Sequence, residues 1–454
     1  MTLLTGWGRT APTPATVRRP RSAEEVAEQL RAAGPRGVVA RGLGRAYGDA
    51  AQNAGGLVLD CTGLAPTWSH DPATGLVTAS AGLSLHELML ELVPRGWFVP
   101  VTPGTRYVTV GGAIAADVHG KNHHVDSSFG AHLRTLTLVT ADGTRHVLGP
   151  GDDLFWATVG GMGLTGVIVE ASFQCIPIET AWMVVDVERT RDLDETLEAM
   201  TARDRGHRYT VAWIDLLARG RAMGRSVITS GEHARLEDLP ARLRRDPLAF
   251  QPRPPHAAPG WVPGGLLNRA TIRAFNAVWY GKAPARRKRV VQGIASFFHP
   301  LDGVEGWNRL YGPRGFIQYQ FVVPFGAEET LRRVVAALSA ERVPSFLTVL
   351  KRLGPGTNGM LSFPMPGWTL ALDIPAGLPG LAGLLRRFDT WVAEAGGRLY
   401  LAKDSRMPAE MLAATYPRLG EWLAIKRRVD PEGRFTSDLA RRLGLCDGTA
   451  AERS

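Results

Sequence analysis

Two short stretches hold most of the residues able to do chemistry. His119, Lys121, Asn122, His123 and His124 crowd into six positions, and Tyr400, Lys403 and Asp404 cluster near the other end of the chain. An imidazole can donate to or accept from a hydroxyl near neutral pH. A lysine followed by an acid can bind phosphate or lower the pKa of a substrate hydroxyl, and it is also the commonest form of surface pair. The three histidines lack HExxH spacing, and no acidic motif nearby completes a ligand set, so no metal is expected. A histidine beside a cofactor ring or a substrate is the better use.

Glycine-rich segments surround these residues. RGLGRAYGD at 41–49 follows an apolar strand, and it has no GK[ST] ending, so it is not a Walker A loop. Glycines after a strand can present backbone N–H groups to a pyrophosphate, and a plain strand–turn connection is the other reading. Small residues dominate 111–116 just before His119, which lets another body approach the backbone closely. GGMGLTG at 160–166 holds a formal GxGxxG, but a helical segment (152–159) precedes it and a strand follows. The Rossmann fingerprint needs the reverse order, so binding of the NAD type is unsupported.

The elements that must position these segments can be read from periodicity. Capping boxes at Ser22/Glu25 and Ser84/Glu87 predict helices over 22–34 and 84–93. Short strands are predicted at 38–41, 57–61 and 167–173, with a hairpin of 133–140 and 145–148 about Asp142–Gly143. From about residue 180 the pattern changes. Strands at 182–187, 209–217, 316–323, 346–350 and 369–374 alternate with helices at 193–200, 236–244, 328–340 and 381–395. That reads as one antiparallel sheet with helices on a face, in an α+β chain. Six prolines between Pro247 and Pro263 forbid a regular element there, and a loop of that length is disordered or a lid. A basic helical tail follows 406.

Bulk properties set outer limits. A chain of 454 residues implies two or three domains. Its 52 glycines are enriched to about 11%, against roughly 7% on average. The net charge of +10 suits a phosphorylated substrate or an anionic membrane surface. No basic arm reads as a nucleic-acid binder. The run Arg286, Arg287, Lys288 and Arg289 is a solvated face or a membrane contact. Three distant cysteines give neither a disulfide framework nor a CxxC site. No apolar run reaches the ~20 residues of a membrane span, and the first residues lack the pattern of a secretory signal.

RGLGRAYGD, PGTRYVTVGGAIAADVHGKNHH (103–124), FWATVGGMGLTG (155–166), YGPRGFIQYQF (311–321), LSFPMPGW (361–368) and RLYLAKDSR (398–406) occur in this order. Together they resemble the decaprenylphosphoryl-β-D-ribose 2′-oxidase family, within the vanillyl-alcohol oxidase superfamily of FAD-linked oxidoreductases. The resemblance runs from about Leu4 to Leu445. It implies a two-part FAD-binding domain, 1–181 plus 398–454, around a substrate domain, 182–397, with an antiparallel sheet flanked by helices.

The resemblance also implies site residues. Noncovalent FAD would be held by Arg41, Gly42, Leu43, Gly44, Arg45, Ala46, Tyr47, Gly104, Thr105, Gly111, Gly112, Ala115, Ala116, His119, Gly120, Asn122, Ile168 and Tyr400. The substrate would meet Lys121, Trp213, Gln318, Gln320, Lys351, Thr369, Ala371 and Lys403. Strand alternation separately puts Gln318 and Gln320 on one face of FIQYQFVV. His119, Lys403 and Tyr47 would be catalytic. Two departures stand out. Ala371 occupies a position where the family often carries a cysteine, so no thiol is needed for hydride transfer and a ligand that bonds to that cysteine should bind only reversibly. Thr369 replaces a common asparagine.

The implied reaction is oxidation of the ribose C2 hydroxyl of a polyprenylphosphoryl ribose to a 2-keto sugar. It would be the first half of an epimerisation to the arabinose donor of cell-wall arabinan. An NAD(P)H-dependent keto-sugar reductase would be the pathway partner. The protein would be peripheral to the plasma membrane, with the cytoplasmic or the cell-wall side left open. The rival readings are a flavin oxidase of a free alditol or aldonolactone, and a nonenzymatic basic protein.

Overall fold

A computed structural model describes residues 1–252, 256–259 and 261–446. Its largest element is an eight-stranded antiparallel sheet. Its strands run in the order Lys288–Gly293, Trp182–Thr190, Ser226–His233, Tyr209–Ile214, Thr348–Leu353, Gly367–Pro375, Phe316–Pro324 and Arg398–Leu399. The helices Leu193–Arg203, Glu328–Ala340 and Leu381–Glu394 pack on one face. Each presents an apolar stripe, such as Leu331, Val334, Val335 and Leu338, which is buried against the sheet.

The N-terminal part forms two smaller sheets besides the short pair Trp97–Phe98 and Ile176–Pro177. One orders Thr2–Leu4, Thr13–Arg18, Leu57–Asp60 and Val38–Arg41, with the last three parallel. The other is antiparallel and orders Trp68–His70, Leu76–Ser80, Val167–Gln174, Leu133–Val139 and Arg145–Leu148. The Asp142–Gly143 turn joins the last pair, with Gly143 at φ +83°. The helix Leu85–Leu92 carries the full Ser84/Glu87 capping box. At Ala23–Arg31 only the Ser22 half forms, because the Glu25 carboxylate accepts from Arg21 instead.

The two chain ends are sewn together. Val38 N–H donates to Arg434 and Val38 C=O accepts from Thr436. Trp422 Nε1 donates to Ala157, and Arg442 grips Asp49 and Asp404. At Gly48 a Cβ would stand 1.9 Å from the Asp404 carbonyl oxygen, so only glycine lets the loops 41–49 and 398–406 touch.

Several expectations need correction. Residues 236–244 are not a helix: a 3₁₀ turn spans Leu236–Asp238, and Pro240 lacks the N–H that would continue it. The strand placed at 346–350 is Thr348–Leu353. Periodicity missed the strand Ser226–His233 and the helix Arg269–Lys282, which buries only Ile272 and Asn276 and so has little apolar stripe to read. The proline-rich call at 247–263 falls partly outside the described residues. Within it, His256–Ala257 pairs with Val304–Glu305, and Phe250 and Ala258 are buried.

Candidate functional site

A cavity of about 810 Å³ lies between the glycine-rich segments and the uncovered face of the large sheet. That is near the upper end of the ~300–1,000 Å³ usual for small-molecule and cofactor sites. Its wall runs from the loop Arg41–Tyr47 past Gly111, Gly112, Ala115 and Ala116 to His119, then onto Gln318, Gln320, Lys351, Ala371, Tyr400 and Lys403. Gly104, Thr105, Gly120, Lys121, Ile168 and Trp213 also line it. Widely separated sequence motifs therefore share one space.

Two expected residues do not reach it. Asn122 is turned away and donates to Pro100 C=O and the Asp126 carboxylate, so it anchors the short helix His123–Asp126. Thr369 sits behind Gln320. Its hydroxyl accepts from the Gln320 amide at 3.1 Å and donates to Phe321 C=O at 2.8 Å.

The loop after Val38–Arg41 fits an anionic group. Gly44 has φ +64°, and among the described residues the N–H groups of Leu43, Gly44, Arg45 and Ala46 make no hydrogen bond. Such consecutive free donors form an anion-binding concavity. The arginines brace the loop rather than fill it. Arg41 donates to Ala51 and Thr5 carbonyls, and Arg45 donates to Tyr107 C=O and lies 4.0 Å over the Trp7 ring. Farther along, Gly104 leaves open space where a Cβ would stand.

His119 is buried and neutral. Burial first, then the charges of Lys351, His123 and Lys403, push its pKa well below the usual imidazole value. The Gln320 amide donates to His119 Nε2 at 2.9 Å, which leaves the ring proton on Nδ1. That buried Nδ1 has no partner in the protein. A buried donor without a partner costs about 1–3 kcal/mol, so it points to an acceptor on a bound group. The free loop amides, the glycine-lined wall and this orphan donor suit FAD, with its pyrophosphate at one end and its ring at the other.

Three lysines converge on the same space. Burial lowers Lys121 to about 7 and Lys351 to about 8, with the Lys351 charge adding to the effect on Lys121. Lys403 is lowered to about 7 by burial, against the opposing pull of the Asp373 carboxylate. Lys121 also donates to Phe297 C=O and lies 4.1 Å over the Phe297 ring. Tyr47 lies half-buried beneath the Lys403 side chain, and desolvation of its hydroxyl pushes it well above the usual phenol range. Among the described residues, no aspartate or glutamate lines the cavity. Asp373 went unnoticed in the sequence. It is fully buried beside Gln318, whose amide donates to it, and burial raises its carboxyl to about 7. The alternation of Thr369, Ala371 and Asp373 along one strand face would have revealed it.

Known proteins resemble this chain. A family described as FAD binding domain matches residues 14–149, and one described as D-arabinono-1,4-lactone oxidase matches residues 379–443. Decaprenylphosphoryl-beta-D-ribose oxidase of Mycolicibacterium smegmatis is 47% identical over 97% of both chains. L-gulono-1,4-lactone dehydrogenase of Mycobacterium tuberculosis is 26% identical over 95% of this chain and 96% of its own. Alditol oxidase of a Streptomyces species is 25% identical over 98% of this chain and 100% of its own.

Proposed function

The chain belongs to the decaprenylphosphoryl-β-D-ribose oxidase family of FAD-dependent oxidoreductases acting on a CH–OH group, and we propose that it oxidises the ribose C2 hydroxyl of a polyprenylphosphoryl ribose. Residues 1–181 and 398–454 hold noncovalent FAD in this reading, and 182–397 carries the substrate side. The observation that supports it most is the single cavity joining the free amides of 43–46 to His119, Gln320 and Lys403.

Bound FAD would supply the hydride acceptor for the sugar carbon. The protein supplies position and a proton acceptor. Burial holds Lys403 well below the usual lysine range, so that a neutral amine is at hand to take the C2 hydroxyl proton. Gln320 fixes the His119 ring, and the His119 Nδ1 proton is left without a partner in the protein. Tyr47 and Asp373 set the surroundings of the Lys403 nitrogen. Lys121 and Lys351 draw the phosphate into a cavity that has no carboxylate on its wall.

The product is a 2-keto sugar. An NAD(P)H-dependent reductase completes the epimerisation to arabinose, and the product serves cell-wall arabinan. Among the described residues no helix is long and apolar enough to cross a membrane, so contact with the lipid-borne substrate is peripheral in this reading. Identities of 25–26% do not favour a free alditol or lactone as substrate. Anaerobic bleaching of the flavin by polyprenylphosphoryl ribose, but not by ribitol or gulonolactone, is the expected result. Bleaching by the free polyols alone would overturn the proposal.

A further inference from the structure

The large sheet has one face covered by long helices and a second covered only in part, by Phe297 and Phe298 of the short helix Ile294–Phe298. Three helices cover the first. On the second, Val187, Val211, Trp213, Val290 and Val349 line the cavity and remain half-exposed, although three of the four strands carrying them lie inside the sheet. Cross-strand register makes them one surface: Val211 and Val187 both lie opposite Thr229, and Trp213 lies opposite both Val227 and Val349. From Val349 to Val290 there are four strand spacings of ~4.8 Å, roughly 19 Å in all. A valine row of that length inside a folded chain lacks the layer that should cover it.

The far end of this row opens beside the helix Arg269–Lys282. Trp279, Lys282, Ala283, Pro284 and Lys288 line the cavity there. Phe275 and Trp279 stack with ring centroids 6.2 Å apart, and with Val278 they face solvent. Trp261, 81% exposed, and Leu266 precede the helix. Arg269, Arg273 and Arg286 are exposed around this rim. Aromatic rings flanked by bases suit the boundary between lipid headgroups and acyl chains.

We propose that this valine face is a lane for the isoprenoid chain of the substrate, leading from the sugar at Lys403 and Gln320 to a mouth at Trp279. The inference rests on the substrate class proposed above. The cavity itself supports one occupant, because its wall combines lysines without carboxylates at the sugar end with an apolar run too long for a sugar. The lysines attract the phosphate, and the valines remove the chain from water.

The test is equilibrium binding of geranyl, geranylgeranyl and decaprenyl phosphate to the FAD-loaded enzyme in one neutral detergent. Affinity should rise on the order of tenfold or more from geranyl to geranylgeranyl phosphate, as burial of extra methylenes requires. Val187→Asp in the lane and Trp279→Ser at its half-exposed rim should both flatten that rise. Trp279→Ser touches no core, so it reads the mouth even where the first variant folds poorly. Equal affinity for the three chains, or a rise that survives both substitutions, overturns the lane. A wild-type dimer that Trp279→Ser splits, with the length dependence intact, would assign the rim to a second copy and also overturn it. No turnover is needed for this readout. Failure to oxidise polyprenylphosphoryl ribose would therefore sink the proposed function alone, and length-independent binding would sink the lane alone.

Discussion

The Lys403 Nζ stands 3.8 Å from the centroid of the Tyr47 ring. The two residues come from opposite ends of the chain, and Tyr47 N–H donates to Ala402 C=O to hold them there. The pair places a half-buried amine against an aromatic face, in a cavity wall that has no carboxylate among the described residues.

Burial lowers Lys403 to about 7, so the amine is protonated and unable to accept a proton at acid pH. The single-turnover rate of flavin reduction should climb with pH through about 7 and then level off. Lys403→Met should cut the rate about a hundredfold or more and abolish the climb, with FAD still bound. The same substitution removes a buried group whose charged form folding disfavours. Its folded pKa lies below the unfolded one, so the penalty is full below about pH 7 and fades as pH rises toward the unfolded value. Thermal unfolding should accordingly show Lys403→Met gaining stability over the wild type at pH 6, and gaining less at pH 9.

Asp373 opposes the effect of burial on Lys403, because its negative charge favours the ammonium. Asp373→Asn should shift the rise in flavin-reduction rate to lower pH. A shift upward, or none, would show that the carboxylate does not act on the amine.

Thr369 should work through Gln320. Its hydroxyl accepts one amide proton, and Gln320 passes the other to His119 Nε2. Thr369→Val removes the acceptor and frees the amide to turn. A change in the visible spectrum of bound FAD, with a drop of about tenfold in the reduction rate, is expected. Thr369→Ser should restore both readouts. Rescue failing in the serine variant would mean that the methyl packing, and not the hydroxyl, matters.

Ala371 gives the cavity wall no nucleophile. Burial holds the Cys61 thiol up at about 12 and pushes Cys175 higher still, so neither forms a thiolate near neutral pH. Ala371→Cys should keep flavin reduction and create a new alkylation site. Mass spectrometry after iodoacetamide treatment should find the label at 371 in the variant. Labelling of Cys61 to the same extent would contradict the account.

Arg442 ties the ends together through Asp49 and the buried Asp404. Arg442→Met leaves the Asp404 carboxylate short of its cation. Breaking a buried pair from one side costs about 3–5 kcal/mol, so a marked fall in Tm is expected, with earlier release of FAD on heating. An unchanged Tm would place the joint elsewhere.

Much of this was legible in the residues. The alternation in FIQYQFVV put Gln318 and Gln320 on one face, and both do face the cavity, while Tyr319 turns to Asp389 on a helix. The caps at Ser22 and Ser84 marked real helix starts. The Asn122 amide N–H groups go to Pro100 and Asp126, a local use that its place among histidines does not reveal. Asp373 is legible only as the third residue on the face that Thr369 and Ala371 share, and its partner Lys403 lies in a different strand–loop unit. The helix Arg269–Lys282 was missed because most of it faces solvent. Periodicity reports burial in the chain's own core, and a surface facing a ligand or a membrane leaves a different pattern.

The central claim is that hydride leaves the ribose C2 carbon inside this cavity. Anaerobic stopped-flow reduction of the bound flavin by polyprenylphosphoryl ribose, deuterated at C2 or not, tests it directly. A primary isotope effect on flavin bleaching is expected, and deuterium placed at C3 should have none. Bleaching that ignores C2 deuteration, or no bleaching by this substrate, would contradict the account.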